Sequence, residues 1–172
     1  MELGGARVMN KGAIFDGNGT FRFSLTRHWN MEEKQRILFI MLNPSTANAE
    51  TDDPTIRRCV NFAKSWGYGG IEVVNLFALI SSDPAKLLTT TNSIGTNNDL
   101  VILDAASRAG KIIVAWGAFG VAKVRGEDVL GLLHEHEYDI FCLGKTKAGH
   151  PKHPLYLKSD LNPMIYMEAV KS

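Results

Sequence analysis

Four apolar runs, RILFIMLNPS, IEVVNLFAL, KIIVAWG and YDIFCLG, recur along the chain, and each gives way to a polar or glycine-rich turn. A strand that is apolar on both faces belongs in the middle of a sheet covered on both sides. Between these runs lie segments with helical spacing. In TDDPTIRRCVNFAKSWGYGG, Asp53 suits an N-cap, Pro54 suits the first helical position, and Gly67 and Gly69 mark the stop. Ile56, Cys59, Val60, Ala63 and Trp66 then share one apolar face. TNNDLVILDAASRAG reads as a helix ending at Gly110, and AFGVAKVRGEDVLGLLHEHE as a helix broken at Gly126. YDIFCLG would be the last core strand. This β/α alternation predicts an α/β fold with a mostly parallel sheet.

At the N-terminal side, Asp16-Gly17-Asn18-Gly19 separates two strand-like runs and predicts a β-hairpin that adds antiparallel edge strands. Phe21, Phe23 and Leu25 alternate with Arg22, Ser24 and Thr26, as in a half-buried strand. A length of 172 residues with 45% apolar residues fits a single domain, residues 1–172, with its core at about 20–163. A net charge of +1 argues against coating nucleic acid by bulk electrostatics but allows a local basic site. Cys59 and Cys142 read as two buried thiols in a reducing cytoplasm, too few for a four-cysteine iron–sulfur or zinc site. No signal peptide or membrane span is evident, so the expected location is cytoplasmic. No cofactor or metal motif is present, and none is expected.

In a parallel α/β sheet, ligands bind beyond the carboxyl ends of the strands. That rule nominates Asn43 to Asn48, Asn75 to Phe77, Trp116-Gly117 and the stretch after Leu143, all along one edge. Asn43 precedes Pro44, where strand pairing must stop; its amide either satisfies loop backbone or orients a water or polar ligand. Ser45 and Thr46 carry the same two readings. Asn75 interrupts a buried run, and an unsatisfied buried amide costs about 1–3 kcal/mol, so it pairs with backbone or faces a ligand. Arg57 and Arg58 oppose the helix dipole at a first turn and either pair with Asp52 or Glu50 or grip a phosphate.

GKTKAGHPKHPLYLK holds four lysines, two histidines, two prolines and no acidic residue. Lys145, Lys147, Lys152 and Lys158 make it positive, Pro151 and Pro154 stiffen it, and Leu155 and Tyr156 offer an apolar wedge or stacking surface. That mixture suits nucleic-acid or nucleotide contact, although a solvated lysine-rich turn would look the same.

LFIMLNPSTA, TDDPTIRRCVNFAKSWGYGGIEVVNLFAL, IIVAWGAFG and LGKTKAGHPKHPLYL together resemble domain of unknown function 1643, a mainly bacterial and phage family with no established activity. The order of signals is also similar, more distantly, to the uracil-DNA glycosylase superfamily. That resemblance implies a three-layer sandwich and an N-glycosidase acting on DNA or RNA. It would give Asn43 the water-positioning place and Asn75 the base-reading one, with Phe77 and Ser45 beside the base. His150 or His153 would stabilise charge on the leaving base, and the pattern here carries one residue more than His-Pro-Ser-Pro-Leu. Arg57, Arg58, Lys145, Lys147 and Lys152 would meet phosphates, and Leu155 or Tyr156 would fill the space of a flipped nucleotide. A pocket for a free nucleotide or modified base, or a non-catalytic nucleic-acid-binding module, is the alternative.

Overall fold

The computed structural model describes residues 9–32 and 35–170. Residues 1–8, on which part of the signal-peptide reading rests, lie outside the described residues. Seven strands form one mixed sheet: β1 (Asn10–Phe15), β2 (Arg22–His28), β3 (Arg36–Met41), β4 (Gly70–Asn75), β5 (Lys111–Val114), β6 (Ile140–Cys142) and β7 (Met164–Met167), in the order β1-β2-β4-β3-β5-β6-β7. The four apolar runs supply β4, β3, β5 and β6, which pair in parallel. The hairpin pairs β1 with β2 and places β2 antiparallel to β4. A mostly parallel sheet therefore describes the centre and not the edges. β7, which follows the supposed last core strand, pairs antiparallel to β6 and closes the other edge. Its MIYM sequence is too short to show a period that would separate strand from loop.

Among the described residues, four helices accompany the sheet: α1 (Pro54–Ser65), α2 (Lys86–Thr89), α3 (Asn98–Arg108) and α4 (Ala122–Glu135). Alternation along β3 sorts its side chains between two cores: Ile37, Phe39 and Met41 pack with α1, whereas Leu38 and Ile40 pack with α3 and α4. Helices thus cover both faces of the sheet. Asp53 caps α1 as expected, its Oδ1 accepting from the Ile56 N–H at 2.8 Å. Both cysteines are buried free thiols. Among the described residues, no helix is long and apolar enough to cross a membrane.

Two further features depart from expectation. α4 runs unbroken through Gly126, where a Cβ would lie 2.9 Å from the Trp116 ring. The glycine admits an indole and does not break the helix. In the hairpin, Ile14 faces Ser24 while Phe15 faces Arg22, so Phe23 is an extra residue, a β-bulge. The simple alternation from Phe21 to Thr26 is lost. Phe21 and Phe23 stack with ring centroids 6.3 Å apart, while Leu25 packs in the α1 core. Beyond the bulge, Arg22 turns to the α1 side, where its Nη1 donates to the Ala47 carbonyl at 2.8 Å.

Candidate functional site

β3 hands the chain to α1 on one face, and its neighbour β5 hands it to α4 on the other. The crevice between such diverging connections is where open α/β sheets place ligands. A cavity of about 270 Å3 opens there. Its wall takes Asn43, Pro44 and Ser45 from the end of β3, Asn75 from the end of β4, and Trp116 from beyond β5. His153 comes from the lysine-rich loop and Arg22 from the bulge.

Asn75 is the last residue of β4, with side-chain parity matching Val73 on the α1 side. It is 1% exposed, and its amide nitrogen has no hydrogen-bond partner among the described residues. The backbone around it is held from the opposite side. Asn98 Nδ2 donates to the carbonyls of Asn75 (2.9 Å) and Leu76 (3.3 Å), and Arg125 Nε donates to Leu76 at 2.9 Å. The Asn75 backbone is thus fixed in place while its own amide nitrogen is unsatisfied.

Asn43 does what a loop asparagine does. Its Nδ2 donates to the carbonyls of Ser81 (2.8 Å) and Pro44 (3.0 Å), with a longer contact to Leu79 (3.4 Å), tying the two strand-end loops together. The amide's donor end is spent, and only Oδ1 remains for a ligand or water. Ser45 Oγ donates to Asp53 Oδ2 at 3.2 Å, so both oxygens of the capping carboxylate are engaged.

The two histidines are separated by Trp116. His153 lines the cavity, whereas His150 lines a second pocket of about 180 Å3 with Trp116, Gly126 and Tyr166. Of the two candidates, then, only His153 joins Asn43 and Asn75. Its Nδ1 accepts from the Leu155 N–H at 3.1 Å, which leaves the proton of the neutral ring on Nε2. Burial pulls its pKa below the ordinary 6.5, opposed in part by the charge of Asp53.

Phe77 is not in the cavity; it is buried in the core on the α3/α4 side. Among the described residues, neither Arg57 nor Arg58 forms an ion pair. Arg57 Nη1 donates to the Asp52 carbonyl, because the Asp52 carboxylate takes Arg27 at 2.7 Å. Arg58 lies over the Phe62 ring and reaches the Pro154 carbonyl at 3.4 Å.

Lys145, Lys147 and Lys152 are exposed and do not line the cavity; Lys145 sits over the Tyr166 ring. The loop that carries them is a tight turn, with Thr146 N–H on the His150 carbonyl (2.8 Å) and Lys152 N–H on the Gly144 carbonyl (2.9 Å). Gly117 N–H anchors it to β5's end through the Pro151 carbonyl at 2.9 Å. Leu155 is half-buried, and Tyr156 is 94% exposed at φ +69°.

Arg22 is the residue that sequence reasoning missed. It is 2% exposed, and its Nε is buried without a partner among the described residues. Desolvation pulls its pKa down to about 10, with Asp53 opposing the shift and Arg27 adding to it. Among the described residues, no group of His, Cys, Asp and Glu gathers in a way that could hold a metal ion.

The model of the protein family described as a protein of unknown function, DUF1643, matches residues 22–155. The chain belongs to this family. The match starts at Arg22, stops just past His153, and so spans every cavity residue named above. No curated protein and no solved structure matches the chain.

Proposed function

We propose that this DUF1643 protein binds a nucleobase in the cavity at the carboxyl edge of its sheet and hydrolyses the bond from that base to its sugar. The observation that carries the reading is Asn75. Its backbone carbonyl is held by Asn98, and a buried amide nitrogen left without a partner there is costly unless a ligand acceptor completes it. At about 270 Å3, the cavity is slightly below the range of roughly 300–1,000 Å3 usual for drug-sized ligands, which favours a single ring system. The four central parallel strands, helices on both faces and the order of the strand-end loops support a fold like that of the uracil-DNA glycosylases.

In the proposed reaction, Asn75 Nδ2 donates to a carbonyl of the base. Water is oriented by Asn43 Oδ1, the one end of that amide not already committed. The glycosidic bond breaks with its electron pair going to the base, through an oxocarbenium-like state. Nε2–H of His153 donates to the charge developing there. Water then adds to the sugar carbon, and its proton completes the departing base. Asn43 is too weak a base to lead, so departure of the base comes first.

The experiment is to incubate the protein with single-stranded and duplex DNA containing uracil or hypoxanthine and to score abasic sites. Expected is cleavage that Asn75→Leu abolishes and that His153→Ala and Asn43→Ala each slow by about 100-fold or more. Cleavage that survives all three changes would overturn the site. The placement of Lys145, Lys147 and Lys152 outside the cavity favours a second reading, a free base or nucleotide with no polymer. A salt series separates the two, since polymer affinity falls steeply with salt. In the polymer reading, Arg57, Arg58 and the exposed Tyr156 supply the outer contacts.

A further inference from the structure

We infer that Arg22 makes this cavity an anion site, selective for a ring oxygen that carries negative charge. The inference rests on the nucleobase reading and adds a charge to its ligand.

Four buried side-chain nitrogen or oxygen atoms lack a partner among the described residues, and two of them, Arg22 Nε and Asn75 Nδ2, belong to side chains lining the same cavity. A guanidinium carries five N–H groups, and among the described residues that of Arg22 makes a single hydrogen bond, to Ala47. Burying a cation with so few partners is unfavourable unless something completes it. Asp52 is taken by Arg27, and Asp53, which lines the same cavity and opposes the fall of the Arg22 pKa by its charge, accepts from Ser45 and the α1 backbone and not from the guanidinium. Arg22 keeps its proton at neutral pH even though burial lowers its pKa to about 10. The bulge at Phe23 has a defined consequence here, since without it Arg22 would face the α3 side of the sheet.

Its ligand class follows from the geometry. Donors from Asn75, Arg22 and His153 line one small cavity with a single aromatic wall, Trp116. A flat ring with anionic oxygen meets all of these. It can arrive as a free acidic oxo-heterocycle or arise in place as the base departing from its sugar. In the second case, Arg22 stabilises the leaving group's charge as it forms.

The test is direct binding, read by calorimetry and by quenching of Trp116 fluorescence. Urate and barbiturate, anionic near neutrality, are compared with uracil and hypoxanthine, which are neutral, and with inorganic phosphate. Expected is a preference of about tenfold or more for the anionic rings, lost in Arg22→Met and partly kept in Arg22→Lys. Melting midpoints report whether each variant is folded, and Arg22→Lys tests the charge if Arg22→Met is not. Rings that bind without regard to charge, or a preference that survives Arg22→Met, overturn the inference and leave the nucleobase reading standing. Phosphate binding that depends on Arg22, with no ring binding, overturns the nucleobase reading and with it the selectivity for a charged ring. If nothing binds, both fall.

Discussion

Arg22 and Arg27 lie five residues apart on the same strand, both turned to the α1 side and both almost wholly buried. Arg27 is saturated. Its Nε meets Asp52 (2.7 Å), its Nη1 the Thr26 carbonyl (2.8 Å), with Gly12 at 3.3 Å, and its Nη2 the Asn48 carbonyl (2.6 Å). Arg22 has one bond and a bare Nε. Identical residue, strand and burial give opposite states of completion. One arginine ties the loop before α1 to the sheet, and the other is left open toward a cavity.

This contrast predicts the largest effect. Arg27→Met strands a mostly buried carboxylate and several carbonyls, and should cost about 3–5 kcal/mol in urea unfolding. Arg22→Met removes a poorly paired charge and should change stability by no more than about 1 kcal/mol while abolishing anion binding. Equal losses of stability would mean that Arg22 is as structural as its neighbour.

Asn75, which ends β4, and Asn98 of α3, which bonds its backbone, sharpen the same point. Asn98→Leu frees the carbonyls of Asn75 and Leu76 and should cost about 1–3 kcal/mol. Asn75→Leu removes an amide with no partner and should be close to neutral in stability, yet fatal to ligand binding. Paired denaturation curves, with and without ligand, distinguish these outcomes.

The sequence makes some of this legible and hides the rest for physical reasons. Four apolar runs and an Asp-Pro helix start are local signals, so β3 to β6 and α1 can be read directly, as can the edge at which Asn43, Asn75 and Trp116 meet. Arg22 cannot be read this way. A bulge shifts register by one residue without any special residue type, and the pattern Phe-Arg-Phe-Ser-Leu looks like plain alternation. His150 and His153 are equivalent as letters. Their separation depends on where the Trp116 ring stands, and Gly126 decides that from another element.

Two glycines of α4 make that last dependence testable. A Cβ at Gly126 meets the Trp116 ring at 2.9 Å, whereas one at Gly131 meets nothing within 4 Å. Gly126→Ala should therefore cost about 1–3 kcal/mol and shift the emission of Trp116. Gly131→Ala should stabilise by about 0.5–1 kcal/mol, through helix propensity alone. A stabilising Gly126→Ala would show that the indole moves aside easily and that the wall between the two cavities is soft.

The smallest effect compares two histidines that shift alike. Burial lowers the pKa of both His153 and His28, in His28 with help from Arg36. A folded-state pKa below the ordinary 6.5 means that the unfolded chain takes up more protons as the solution is acidified. The stability these neutral rings contribute is therefore fully present above pH of about 6.5 and is lost as pH falls through their folded values. Melting midpoints should be level near pH 7.5 and decline below about pH 6.5, and either His→Gln change should shallow that decline. Ligand binding separates the pair. Protonating His153 turns its Nδ1 from an acceptor into a donor, which breaks the bond from Leu155 N–H and loosens the loop at the cavity. His28 sits at the other end of its strand, beside Arg36. Affinity that falls with acid in the native protein and in His28→Gln, but not in His153→Gln, places His153 at the ligand; an equal response in all three removes it.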